Sequence, residues 1–149
     1  MVTRTILLDS GPLGLITNPR ASPPAAACGR WVVSAIRAGA AVVVPEIADY
    51  EVRRELIRAR RHAGLARLDA FIEQVEFLPI NTVAMRRAAA LWAEARQQGR
   101  PTAPDPALDA DVILAAQTAT LDRTDVVVAT TNPKHLSRFV AAELWIDIA

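Results

Sequence analysis

The chain has 149 residues, 52% of them apolar and 22% charged, with 17 Lys plus Arg against 16 Asp plus Glu, which points to one globular, soluble domain and leaves no global basic field to attract nucleic acid. Cys28 is the only cysteine, which excludes an intramolecular disulfide and a cysteine-based metal cluster. No segment approaches the roughly 20 apolar residues of a membrane span, and the short apolar run behind Met1-Val2-Thr3-Arg4 is too brief for a signal peptide, so a cytoplasmic location is expected.

Residues 4 to 8 read as a buried strand, and Asp9-Ser10-Gly11-Pro12 as the turn that ends it. Leu13, Leu15 and Ile16 suit a short helix before a loop from Asn18 to Pro24. Apolar residues at 28, 31, 32, 35 and 36 give a helical period over Ala25 to Ala38, stopped by Gly39. Ala40 to Val44 is a second buried strand, ending at Pro45. A helix from Glu46 to Ala63 follows, its outer faces rich in arginine from Arg53 to Arg61; His62 belongs to that basic face. Leu68, Phe71, Ile72 and Val75 mark another amphipathic helix, and Phe77 to Ile80 a short strand.

Thr82 to Gln98 repeats apolar residues at 84, 88, 91, 92 and 95, a helix that Gly99 ends. The Pro-rich stretch 101 to 106 reads as a loop, and Asp109 to Leu121 as a helix apolar on nearly every side. Asp125 to Thr130 is a strand, Asn132-Pro133 the start of a helix reaching Val140, and Leu144 to Ile148 a last strand. Continuously apolar strands alternating with helices predict an α/β fold with a mainly parallel sheet covered on both faces. Trp31, Trp92 and Trp145 are expected in the core, and Cys28 beside Trp31 and Val32 acts there as a small hydrophobe.

The chemistry lies in the acids. Asp109 and Asp111 open an apolar helix, and no Lys or Arg occurs between Pro101 and Leu121 to balance them. A divalent cation is the economical counter-charge, and Asp9 and Glu51 are further candidates to hold it. Each acid alone also fits a structural role: Asp9 as turn or cap, Glu51 as a solvated helical charge, Asp109 as an N-cap, Asp111 as a first-turn charge, and Asn132 as a cap.

Taken together, Ile6-Leu7-Leu8-Asp9, Pro45-Glu46-Ile47-Ala48-Asp49-Tyr50-Glu51, Leu91-Trp92, Asp111-Val112-Ile113-Leu114-Ala115-Ala116 and Thr130-Thr131-Asn132-Pro133-Lys134-His135 resemble the PIN-domain nucleases, and more narrowly the VapC-type ribonuclease toxins of type II toxin–antitoxin pairs. The resemblance runs over essentially the whole chain. It implies a three-layer α/β/α PIN-like fold acting as a Mg²⁺-dependent endoribonuclease, with Mn²⁺ as a possible substitute. Asp9, Glu51 and Asp111 match the family's acids, Thr130 its hydroxyl position and Asn132 its variable fourth position, with Asp109 as a candidate extra ligand and His135 close enough to touch substrate. The implied partners are an RNA substrate, a cognate VapB-like antitoxin and a second copy in a homodimer.

Rival readings come from the same residues, and within the PIN resemblance a non-toxin RNA-processing or DNA nuclease is also open. Asp9 behind a buried strand also resembles the nucleophile of haloacid-dehalogenase-like phosphatases, but the second aspartate those enzymes need two residues later is Gly11 here. A PIN-like module that binds RNA or an antitoxin without cutting is the alternative from another class, and the amide of Asn132 in place of a carboxylate is its footing.

Overall fold

The computed structural model describes residues 3–20, 22–99 and 105–149. Five strands, β1 (Thr5–Leu8), β2 (Ala41–Pro45), β3 (Glu76–Leu78), β4 (Val126–Thr130) and β5 (Ala142–Leu144), form one sheet in the order β3-β2-β1-β4-β5. Every neighbouring pair is parallel. The helices are α1 (Ser10–Thr17), α2 (Pro23–Arg37), α3 (Glu46–Arg58), α4 (His62–Gln74), α5 (Thr82–Gln97), α6 (Asp105–Ala119) and α7 (Pro133–Leu136).

The central strands are apolar at nearly every position, with threonine only at the start of β1 and the end of β4, because successive side chains enter opposite cores. Ile6, Leu8, Val42, Val44, Val127 and Ala129 share one core with Leu13 of α1, Val32 of α2 and Leu68 of α4. Leu7, Val43 and Val128 point the other way, onto Leu114 of α6 and Leu136 of α7. Each such Leu, Ile or Val contributes about 1.5–3 kcal/mol by leaving water. Helix α3 straddles the two cores, with Ala48 and Val52 in the first and Ile47 in the second. Helix α5 stacks on α6 through Ala84, Ala88 and Ala95, small residues that pack against Leu108 and Val112. The result is the expected three-layer α/β/α architecture.

Local differences from the sequence expectation have identifiable causes. Asp9 to Pro12 is no turn: Asp9 caps α1 directly, its carboxylate accepting from Ser10 N–H at 2.8 Å. Pro12 sits in the first helical turn, where its missing N–H costs nothing. The predicted loop from 18 to 24 ends early, with Ser22 capping α2; position 21 lies outside the described residues. The long helix expected from Glu46 to Ala63 divides in two at Arg60, which takes a left-handed φ of 55°. Leu56 folds over Gly64 there, so closely that an added Cβ would stand 2.8 Å from it.

Of the Pro-rich loop expected over 101 to 106, residues 101–104 lie outside the described residues, and α6 is already helical at Asp105. Helix α7 stops at Leu136, short of Val140. The final strand lies earlier than expected, at Ala142–Leu144, because Trp145–Asp147 turns into a 3-10 helix. That turn sets Trp145 against Trp31 in a tilted contact, ring centres 5.8 Å apart, while the Trp31 indole donates to the Ile148 carbonyl at 2.9 Å. Trp92 departs from the core expectation: it is 37% exposed, beneath the guanidinium of Arg96. Cys28 is fully buried as expected, and burial pushes its thiol up to about 12, so it stays protonated. Among the described residues no helix is long and apolar enough to cross a membrane.

Candidate functional site

The sheet order reverses beside β1: the chain builds outward through β2 and β3, then returns to add β4 and β5 on the other side. Such a reversal opens a crevice beyond the carboxyl ends of the strands. Register decides what stands there. Leu8 pairs with Ala129, so the next residues, Asp9 and Thr130, emerge side by side.

Asp9 is held from three directions. Its N–H donates to the Ala129 carbonyl at 2.9 Å, its Oδ1 accepts from Ser10 N–H and its Oδ2 accepts from the Thr130 hydroxyl, both at 2.8 Å. Thr130 is 1% exposed, and its Oγ1 in turn accepts from Asn132 N–H at 3.1 Å. Burial raises the Asp9 pKa, against the opposing effect of these two hydrogen bonds.

Glu51 arrives from α3. That helix starts as soon as β2 ends, and Glu51 shares its inward stripe with Ile47, Ala48 and Val52. The carboxyl is therefore half-buried instead of solvated. Desolvation, reinforced by the negative charges of Asp9 and Asp111 and opposed by Arg54, pushes Glu51 up to about 7.

Asp111 comes from the second turn of α6, between buried Leu108 and Ala115. Desolvation and the charge of Asp9 push it up to about 6, while nearby His135 acts in the opposite sense. The earlier start of α6 changes the expected part of Asp109, which is neither an N-cap nor a first-turn charge. Two residues on a helix are rotated by about 200°, so Asp109 and Asp111 face opposite ways. Asp109 is exposed in a groove of about 400 Å³ with Met85, Trp92 and Ile113, apart from the other acids.

Asp9, Glu51 and Asp111 thus feel one another across three elements. Arg53, by contrast, is tied to Asp49 and Asp69, at 3.0 and 2.7 Å, and Arg58 is tied to Glu55. The cation facing the acids from α3 is Arg54, stacked 5.0 Å from the ring centre of Tyr50. Oxygen-only donors whose mutual repulsion Arg54 offsets only in part suit a hard divalent cation. Among the described residues no three His, Cys, Asp or Glu side chains stand close enough together, as they are placed, to hold a metal ion between them.

The remaining candidates flank the acids. Asn132 is exposed and occupies the N-cap position of α7 without making the expected side-chain capping bond. His135 lies in α7 with Nδ1 buried and without a hydrogen-bond partner among the described residues. Along α3, a groove of about 530 Å³ runs past Tyr50, Arg54, Ile57, Ile80 and Met85.

Two positions escaped the sequence reading. Gln117 is 1% exposed and bridges α6 to α3, and its only signal was an amide inside an otherwise apolar tract. Gly11 lies so near Thr131 that an added Cβ would stand 2.5 Å from Oγ1. Nothing in one sequence announces a contact between residues so far apart.

No family model matches the sequence, and no curated protein is similar to it at a significant level. Solved structures are similar in fold. A chain of the VapBC2 complex from Rickettsia felis, bound to a DNA fragment from its promoter, superposes with a TM-score of 0.68 at 14% identity, covering 95% of this chain and 98% of that one. For VapBC-1 from nontypeable Haemophilus influenzae the values are 0.66, 16%, 96% and 99%. For DNA-bound VapBC from Salmonella typhimurium they are 0.63, 22%, 97% and 99%. Over nearly its whole length, then, the chain has the PIN-like fold that its sequence predicted.

Proposed function

We propose that this protein is a metal-dependent endoribonuclease and the toxin of a type II toxin–antitoxin pair. The observation that carries the reading is the meeting of Asp9, Glu51 and Asp111 at the carboxyl end of the sheet, with the proton affinity of all three raised. Carboxylates gathered against their own repulsion are suited to a cation, and these three would hold Mg²⁺ or Mn²⁺. When bound, such an ion lowers the pKa of water and stabilises charge on an attacked phosphodiester. Thr130 and Ser10 fix the direction of Asp9, and Arg54 offers N–H donors to the RNA backbone beside Glu51. The groove past Tyr50 gives single-stranded RNA a face on which an unstacked base can lie.

The toxin role rests on the fold shared with VapBC complexes, which are assemblies with an antitoxin. A VapB-like partner and a homodimer belong to the same proposal. The test is cleavage of RNA by purified protein with Mg²⁺ or Mn²⁺, with chelator and Asp9→Asn as controls. Activity lost in both supports the reading, and activity that survives both overturns it.

The second reading is a PIN-like module that binds RNA or an antitoxin without cutting. Among the described residues no three acids or imidazoles are placed closely enough to hold an ion as they stand, and this and the amide at Asn132 favour it. Tight binding of an antitoxin-like peptide with no RNA cut under either metal would decide for it.

A further inference from the structure

Helix α3, which carries Glu51, begins without a cap of its own. Its N-cap residue is Pro45, whose ring offers no acceptor, and no side chain of the preceding segment takes that place. The first N–H groups of a helix have no partner inside it, and one left buried and unpaired is costly. The acceptor comes instead from α6: Ile47 N–H donates to Gln117 Oε1 at 3.3 Å. The other end of the same amide is also engaged, Gln117 Nε2 donating to the Leu78 carbonyl at the end of β3, at 2.8 Å. Glu46 closes the junction from its own side, its Oε1 accepting from Ile80 N–H at 2.8 Å.

The two ends of this bridge lead to the acids. Glu51 lies one turn beyond Ile47 on the same face of α3, and Asp111 lies on α6, the helix that carries Gln117. A helix turn is rigid on the scale of a metal–oxygen bond, so whatever fixes Ile47 against Gln117 fixes Glu51 against Asp111. Gln117 is 1% exposed in a tract otherwise lined by Leu114, Ala115 and Ala116, where an apolar side chain would pack without needing partners. We infer that Gln117 is a positioning residue: it caps α3 from the neighbouring helix and so sets the separation of Glu51 and Asp111. This inference rests on the reading of those acids as one metal site.

The experiment compares Gln117→Met, which keeps the length of the side chain and removes both bonds, with Gln117→Glu, which keeps an acceptor for Ile47 N–H. Val32→Ala, in the core on the other face of the sheet, serves as a control for general loss of stability. The measurements are Mn²⁺ affinity by calorimetry and hydrogen exchange of the Ile47 amide, both at a temperature where every variant is folded. Gln117→Met is expected to weaken Mn²⁺ binding about tenfold, the lower end for groups that orient metal ligands, and to speed Ile47 exchange. Gln117→Glu is expected to recover part of both, and Val32→Ala to change neither. Loss of Mn²⁺ affinity no greater in Gln117→Met than in Val32→Ala, or an Ile47 amide still fully protected, overturns the inference. If the wild type itself binds no Mn²⁺, it is the metal reading that fails, and the Ile47 amide alone decides the cap: faster exchange in Gln117→Met upholds it and unchanged exchange overturns it.

Discussion

The hydroxyl of Thr130 stands 2.8 Å from Oδ2 of Asp9, and the pairing of Leu8 with Ala129 brings the two residues together. Because the hydroxyl donates to the charged form, it aims the carboxylate and opposes the rise in proton affinity that burial causes. Thr130→Val keeps the shape and removes the donor, leaving Oδ2 unpaired in a buried place. Stability should fall by roughly 1.5–3 kcal/mol, the usual cost for a hydrogen bond to a charged group. RNA cleavage should fall more steeply than melting temperature, by about tenfold or more, and Thr130→Ser should recover most of it. Cleavage in Thr130→Val equal to wild type would remove Thr130 from the site.

The two acids of α6 provide a sharper comparison. Asp111 is coupled to Asp9, whereas Asp109 is exposed in the groove beside Met85 and Trp92. Asp111→Asn is expected to abolish cleavage by more than about a hundredfold, in the range of losing a group that supports the reacting charge. Asp109→Asn should stay within a few-fold of wild type. Equal losses in the two variants, measured on one RNA under saturating Mg²⁺, would contradict the geometry.

These contrasts mark where the sequence was legible. Strands β1, β2 and β4 stood out because a strand covered on both faces reads as a short run of Ile, Leu, Val and Ala with no polar alternation. Glu51 was visible through the order of motifs, and its burial follows from sharing a stripe with Ile47, Ala48 and Val52. The start of α6 was not visible, because a Pro-rich stretch reads as a loop although Pro106 sits in a first turn that tolerates it. The packing of α6 sets Asp109 in the groove beside Met85 and Trp92, which the sequence did not show. The Gln117 bridge joins Ile47 to a residue far along the chain, and only the packing of α6 against α3 brings them together.

The raised proton affinities of Glu51 and Asp111 carry a sign. Glu51 rises from 4.5 to about 7 and Asp111 from 3.8 to about 6, so between those limits the folded protein binds more protons than the unfolded chain. Stability is then fully present below the ordinary carboxyl range and is lost as pH rises through about 6 to 7. The melting temperature of the metal-free protein should therefore fall between pH 5 and pH 8 by more than that of Glu51→Gln. Added Mg²⁺ should reverse the slope, since a bound cation favours the ionised acids that protons compete for. A wild-type profile that parallels Glu51→Gln, with and without Mg²⁺, would show that these carboxyls do not share a field.

Gly11 tests the same corner of the site through sterics alone. It occupies the first turn of α1, and a Cβ there would stand 2.5 Å from Oγ1 and 2.7 Å from Cγ2 of Thr131. Thr131 is itself exposed, but it is bonded to Thr130, whose hydroxyl orients Asp9. Gly11→Ala must therefore displace Thr131, and whatever part of the push its side chain does not absorb moves the start of α1 or the end of β4 and pulls on Asp9. Overpacking of this kind costs typically about 1–3 kcal/mol, and a shift of a fraction of an ångström at Asp9 should lower cleavage beyond what the stability loss explains. Thr131→Ala removes the two nearest atoms and leaves only its Cβ, at 3.1 Å from the new methyl group. The double variant Gly11→Ala with Thr131→Ala should thus regain activity relative to Gly11→Ala alone, a coupling of about 0.5–3 kcal/mol in a double-mutant cycle. Simple additivity of the two substitutions, in both melting temperature and cleavage rate, would mean that the contact with Thr131 does not set the position of Asp9.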